Sequence, residues 1–175
     1  MLYVIACGGR PAGDLPSFLP DLQADGWTVC VIATPSGMKF IDTGLLQEVT
    51  GHPVRSEYRR PEDPDLLPPA EAFLIAPATF NTVNKIAGGI SDTLALGLVN
   101  EAIGLELPIV MAPWPNTALA KHPAFVRSIS ELRQWGIKTV FDPGNLPAPN
   151  SGAAGKVTFP WNDIREKLKT IKSDL

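Results

Sequence analysis

Short apolar runs alternate with segments of helical period along this chain, the pattern of a doubly wound parallel sheet with helices on both faces. Leu2–Ala6 reads as the first strand, apolar at every position and therefore buried on both sides. Leu15–Ala24 comes next with helical spacing and holds two prolines. Pro16 suits a first turn, whereas Pro20 is expected to bend or split the element. Gly26 closes it, and Trp27–Ala33 is the second strand. From Phe40 to Pro69 the pattern predicts a short helix, a brief strand near Val54, and then loop. Ala72–Ala76 is the third strand, and Asn81–Gly104 is helical with a break at Gly88-Gly89 and Ser91 as the second N-cap. Pro108–Ala112 is a strand, Pro123–Trp135 a helix, and Lys138–Phe141 the last core strand. Asp142–Lys156 is a Pro/Gly/Asn-rich stretch read as a flexible loop, long enough to carry function, and a closing helix spans Trp161–Lys172. No repeat or linker interrupts the series, so residues 1–175 are read as one domain.

Composition narrows the partners. The net charge of −3 argues against a nucleic-acid or anionic-membrane surface. The first residues lack a positive segment and their apolar run ends at Gly8, unlike a secretory leader. No apolar stretch reaches the roughly 20 residues that a membrane span needs. A cytoplasmic protein is the expectation, with Cys7 and Cys30 as reduced, buried residues. Two Cys and two His, widely scattered, offer no metal-ligand spacing.

Candidate chemistry lies just past the carboxyl end of each strand. The first ends in Cys7-Gly8-Gly9 and the second in Thr34-Pro35-Ser36-Gly37. The third runs into Thr79-Phe80-Asn81-Thr82, and the fourth into Pro113-Trp114-Pro115-Asn116-Thr117. Carboxyl ends of parallel strands line one crevice, the place where open α/β sheets bind ligands. Glycine turns, hydroxyls and an adjoining helix N-terminus suit a phosphate-bearing ligand. Two blander readings stand beside this one: a tight turn needs glycine in any case, and Thr34 and Thr79 are natural helix caps. Neither a Gly-x-Gly-x-x-Gly fingerprint nor a Walker A loop is present.

The segment Ala-Pro-Ala-Thr-Phe-Asn-Thr-Val-Asn-Lys-Ile-Ala-Gly-Gly-Ile-Ser-Asp at 76–92 resembles the Ala-Pro-x-(Ser/Thr)-Ala-Asn-Thr…Lys-Ile-Ala-x-Gly-x-x-Asp motif of the homo-oligomeric flavin-containing cysteine decarboxylases. Cys7-Gly8-Gly9 is similar to that family's Thr-Gly-Ser turn, and the stretch Thr34–Ile41 to its Thr-x-Ser-Ala-x-x-Phe segment. Ala112–Pro123 matches its Ala-Pro-Ala-Met-Asn block less well. The likeness covers residues 2 to about 142, in the family's order. It implies a Rossmann-like (flavodoxin-like) three-layer fold, an FMN cofactor, and trimers or assemblies of trimers with contacts around the Asn81–Gly104 helices. The flavin contacts it implies are Gly8, Gly9, Arg10, Thr34, Ser36, Thr79, Phe80, Asn81 and Thr82, with Trp114 where a small residue is usual. Asn116 stands at the amide that holds the substrate carboxylate.

Two departures shape the functional expectation. The family's catalytic histidine falls at Asp63, eight residues before Glu71, and its loop cysteine has no counterpart beyond Cys30. His52 and His122 lie at other places in the pattern and do not replace the base. The family's reaction needs a base beside the thiol, hydride transfer to the flavin and loss of carbon dioxide; reducing the product needs the loop cysteine. A diverged flavoenzyme acting on a small-molecule or peptide substrate is therefore expected, with Asp63 and Asn116 as candidate catalytic groups. The alternative is a catalytically silent flavin-binding regulatory or interaction subunit.

Overall fold

The structure is a computed structural model, and it describes residues 1–58, 60, 62, 67–151 and 157–175. Five parallel strands form one sheet: β1 (Leu2–Ala6), β2 (Val29–Ala33), β3 (Ala72–Ala78), β4 (Ile109–Pro113) and β5 (Lys138–Thr139), in the order β2-β1-β3-β4-β5. Central β1 pairs Leu2 with Val29 on one side and with Ala72 on the other. Successive side chains point to opposite faces and both are covered, which is why the strands are apolar throughout. Leu2, Val4, Ala6, Val31 and Leu74 face one core, with helices α1 (Leu15–Ala24), α2 (Thr43–Thr50) and α6 (Trp161–Asp174). Tyr3, Ile5, Ile32, Phe73 and Met111 face the other, with α3 (Phe80–Ala87), α4 (Leu94–Gly104) and α5 (Pro123–Gln134).

Several boundaries differ from the sequence reading, each for a local reason. Pro20 neither splits nor ends α1, which runs unbroken from Leu15 to Ala24. Leu15, Phe18, Leu19 and Leu22 form one buried stripe, and the exposed Pro20 removes only one internal hydrogen bond. Trp27 lies outside β2 because α1 ends on Gly26 at φ 89°, with the Trp27 N–H donating back to the Leu22 carbonyl at 3.1 Å. The strand expected near Val54 is a single bridge, Arg55 against Ile32 on the free edge of β2. The helical stretch breaks at Gly88-Gly89 as predicted, but the cap of α4 is Thr93, whose hydroxyl accepts from the Leu96 N–H at 3.3 Å. Ser91 instead accepts from Asn100 Nδ2 at 2.8 Å. β5 stops at Thr139, short of Phe141.

The closing helix α6 is tied down by Ile164, Leu168 and Ile171 and by one ionic clamp. Arg165 donates from Nε and Nη2 to the two oxygens of Asp25, at 2.6 and 2.9 Å, and meets Asp21 at 3.1 Å. The guanidinium holds the Asp25 carboxyl below its ordinary range, as a fork-shaped donor against a carboxylate does. Cys7 and Cys30 are free and buried. Among the described residues no helix is long and apolar enough to cross a membrane.

Candidate functional site

The strand order places the reversal of direction at β1: the chain steps from β1 to β2, then returns past β1 to β3. The crevice at the carboxyl ends of β1 and β3 is the ligand position that such an order creates. Here the turns are wedged into one another. A Cβ on Gly8 would lie 2.9 Å from Ser36 Cβ, and one on Gly9 would lie 3.1 Å from Pro77 Cγ. On Gly37 it would lie 2.1 Å from the Ala6 carbonyl oxygen. Glycine is therefore required for contact between the turns after β1, β2 and β3. That accounts for Gly8 and Gly9 by loop packing, apart from any ligand. The fourth turn is locked to the third by Trp114, whose N–H donates to the Ala78 carbonyl at 2.9 Å.

Hydroxyls in these turns divide into two sets. Thr34 is buried, its Oγ1 accepting from the Gly37 N–H at 3.0 Å. Thr82 is buried, with its Oγ1 3.0 Å from that of Thr79. Both shape the site from below. Ser36, Asn81 and Arg10 are exposed, and Thr79 and Phe80 half-buried, at the rim. Thr79 caps α3 by accepting from the Thr82 N–H at 3.2 Å. The N–H groups of Phe80 and Asn81 belong to the first turn of α3, where a helix provides no internal partner. An anion at this end would meet those donors, the Thr79 hydroxyl and the positive end of the helix dipole. Beneath lies Cys7, with its thiol pushed up to about 11 by burial and hence neutral at physiological pH. The donor set and the deep, neutral floor fit the phosphate of a flavin mononucleotide.

On the β4 side the wall is aromatic. Trp114 meets Phe159 edge-on at 5.1 Å between ring centroids, Phe159 meets Trp161 at 4.6 Å, and Trp161 meets Phe18 at 4.5 Å. This chain fixes Trp114 against the segment that precedes α6. Asn116 Oδ1 accepts from the N–H groups of Ala118 and Leu119, at 3.1 and 2.9 Å. Its amide oxygen is thus spent on a turn, and the Nδ2 donors are what it offers a carboxylate. Asp63 lies outside the described residues. His122 caps α5, its Nδ1 accepting from the Ala124 N–H at 3.1 Å, and its ring stands edge-on to Phe80 at 5.5 Å. Its Nδ1 is occupied by that cap.

Three supporting residues carried no signal in the sequence. Asn84 donates to the Phe80 carbonyl at 2.9 Å and accepts from the buried Ser128 hydroxyl at 2.8 Å, fixing the first turn of α3 to α5. Phe159 backs Trp114 from 45 positions away in the chain, a pairing that only the tertiary structure creates.

Fold and site together define a parallel α/β domain with a crevice of glycine turns, hydroxyls and a helix N-terminus at its topological switch point. A profile of the flavoprotein family matches residues 3–171, and the chain belongs to that family. It is 32% identical over 166 residues to a probable phosphopantothenoylcysteine decarboxylase of Streptococcus mutans, covering 90% of each chain. It is 31% identical over 117 residues to the coenzyme A biosynthesis bifunctional protein of Bacillus subtilis, where the match covers 63% of this chain and 28% of that one. Among solved structures, a mutant PPC decarboxylase complexed with pantothenoylaminoethenethiol superposes with TM-score 0.78 at 21% identity, over 98% of this chain and 97% of that one. The FMN binding protein AtHal3 superposes with TM-score 0.75 at 20% identity, over 99% and 97%. These two establish the shared fold.

The wedged turns lead to a stability prediction. Gly37→Ala must push the β2 turn off β1 and should cost about 3 kcal/mol in urea unfolding. Gly13→Ala, whose Cβ would lie 3.4 Å from the Phe40 carbonyl oxygen, is the control and should change stability far less. Equal losses would show that the turn contact is not the constraint.

Proposed function

We propose that this chain binds FMN in the crevice between β1 and β3 and is a diverged flavoenzyme on a small-molecule or peptide substrate. The observation that carries the proposal is the capped N-terminus of α3, set against the glycine turn of β1 at the point where the sheet order reverses. Thr79, Ser36, Asn81 and the first N–H groups of α3 would hold the phosphate, with Gly8, Gly9 and Arg10 beside it and Phe80 and Trp114 bordering the ring system. Thr34 and Thr82 would act through the turns that they brace. The flavin, when bound, supplies a two-electron acceptor. Membership of the flavoprotein family and the curated relative support this reading.

Its reaction would depart from that of the decarboxylases. Asp63 takes the place where the resemblance puts a histidine base, and residues 142–156 contain no cysteine. Those two replacements also favour a second reading, a silent flavin-binding regulatory or interaction subunit. Asn116 would offer Nδ2 to a substrate carboxylate. One domain over 1–175 with a cytoplasmic location suits the free, buried thiols.

A homo-oligomer, a trimer or a multiple of trimers, is the assembly proposed. Ile90, Leu105, Val126 and Trp135 are each more than two-fifths exposed on the α3–α5 side, an apolar load that a second copy would cover. Light scattering at micromolar concentration should return a multiple of the 18.8 kDa chain, and a monomer would remove the proposal.

Flavin binding is tested by titrating FMN fluorescence. Quenching with saturation is expected, and Thr79→Ala with Asn81→Ala should weaken affinity by about 1–3 kcal/mol. Absence of quenching in the folded wild-type chain would defeat the reading.

The chemistry is tested by incubating FMN-loaded protein with 4′-phosphopantothenoylcysteine while monitoring carbon dioxide and flavin absorbance. Loss of general acid and base groups, each worth about 10²–10⁴-fold, should leave little turnover. Full turnover would show that other residues supply them, whereas a modest gain in Asp63→His would support the assigned position.

A further inference from the structure

Three helices of this chain end in the same way. In α1 the Gly26 N–H donates to the Gln23 carbonyl and the Trp27 N–H to the Leu22 carbonyl, at 2.9 and 3.1 Å. In α5 the N–H groups of Gly136 and Ile137 donate to the carbonyls of Arg133 and Leu132, both at 3.1 Å. In α4 those of Glu106 and Leu107 donate to Ile103 and Ala102, at 3.1 and 3.0 Å. Such a cap requires one residue in the left-handed region, which favours glycine. Gly26 and Gly136 take it at φ 89° and 88°, but in α4 it falls on Glu106, at φ 57°. A residue with a Cβ is strained there. Gly104, two positions earlier, lies within α4, where a Cβ would meet nothing within 4 Å. The chain thus has glycine where the helix can do without it and a carboxylate where the cap favours glycine. Among the described residues the Glu106 carboxylate has no hydrogen-bond or ion-pair partner.

Glu106 lines a cavity of about 260 Å³ together with Ile103, Pro108, Trp135 and Ile137. The cavity lies at the amino ends of β4 and β5, the opposite end of the sheet from the candidate crevice. Both α4 and α5 finish beside it, at Gly104 and Gln134, and a helix C-terminus carries partial negative charge. Trp135, half exposed, adds an indole, whose face attracts cations. Two helix ends, a carboxylate and an indole all favour positive charge. The cations nearest in sequence are directed elsewhere. Arg133 Nε donates to the Thr139 hydroxyl at 2.7 Å. Lys138 follows Ile137, which packs in the second core, and so projects to the other face of the sheet.

We propose that this cavity binds a small organic cation, a primary ammonium on a short apolar stem. Glu106 is its counterion, Trp135 the aromatic wall, and Ile103 and Pro108 border the stem. The site shares no residue with the crevice, so its failure and that of the flavin reading are separate results. Trp135 also stands among the apolar residues that a second copy would cover, so the site is tested on the protein in its own assembly state.

The test titrates the purified protein with n-butylammonium chloride and follows tryptophan emission at constant ionic strength. A saturable change is expected, with none from 1-butanol or potassium chloride at equal concentration. Trp135→Phe should remove the change, and Glu106→Gln should weaken apparent affinity several-fold. Glu106→Gly should abolish binding while the melting temperature holds or rises, because glycine relieves the left-handed backbone. Absence of saturation in wild type, an equal response to 1-butanol, a response that persists in Trp135→Phe, or undiminished binding by Glu106→Gln would overturn the proposal. So would a fall in the melting temperature of Glu106→Gly, which would show that Glu106 serves the fold instead.

Discussion

Everything at the candidate site depends on the approach of Gly37 to the Ala6 carbonyl, a contact that leaves no room for a Cβ. That contact presses the β2 turn onto the end of β1, and Gly8 and Gly9 extend the series to Ser36 and Pro77. Backbone lies against backbone, so each turn is held by its neighbour, and the rim hydroxyls inherit that rigidity. A site of exposed Ser36 and half-buried Thr79 is well placed for a charged ligand because its own polar needs are met underneath by Thr34 and Thr82. Rigid elements position donors better than free loops do.

The two halves of the site have different mechanics. On the β3 side, hydrogen bonds within α3 and from Asn84 to α5 fix the first helical turn. On the β4 side, an edge-to-face chain through Phe159 and Trp161 holds the Trp114 ring. Such aromatic contacts contribute roughly 0.5–1.5 kcal/mol each beyond their buried area. The β3 side is therefore set by short-range bonding. The β4 side is set by how the C-terminal helix docks, and the Arg165 clamp on Asp25 reinforces that docking.

The chain belongs to the flavoprotein family over residues 3–171, and the 76–92 segment carries its resemblance to the cysteine decarboxylases. Within that resemblance Asp63 stands at the position of a histidine, and no cysteine lies beyond Cys30. A neutral thiol floor at Cys7 and a capped His122 add no obvious base near the crevice.

The sequence alone determined the layers, because a run such as Leu2–Ala6 that is apolar on both sides of the pleat has only one stable environment. It also determined which residues share the crevice at the strand ends, since glycine, hydroxyl and amide residues after consecutive parallel strands converge in any such sheet. The Gly88-Gly89 break and the Thr79 cap were legible for the same reason: their physics is local. What the sequence could not specify was the use of each residue. Pro20 looked disruptive until the buried stripe of Leu15, Phe18, Leu19 and Leu22 outweighed one missing hydrogen bond. Only the structure shows that the Thr34 hydroxyl accepts from the Gly37 N–H and that the Thr82 hydroxyl lies against that of Thr79. Phe159 behind Trp114 and Ser128 bonded to Asn84 are pairings between distant parts of the chain. No local rule encodes them, because only tertiary packing brings those side chains within reach.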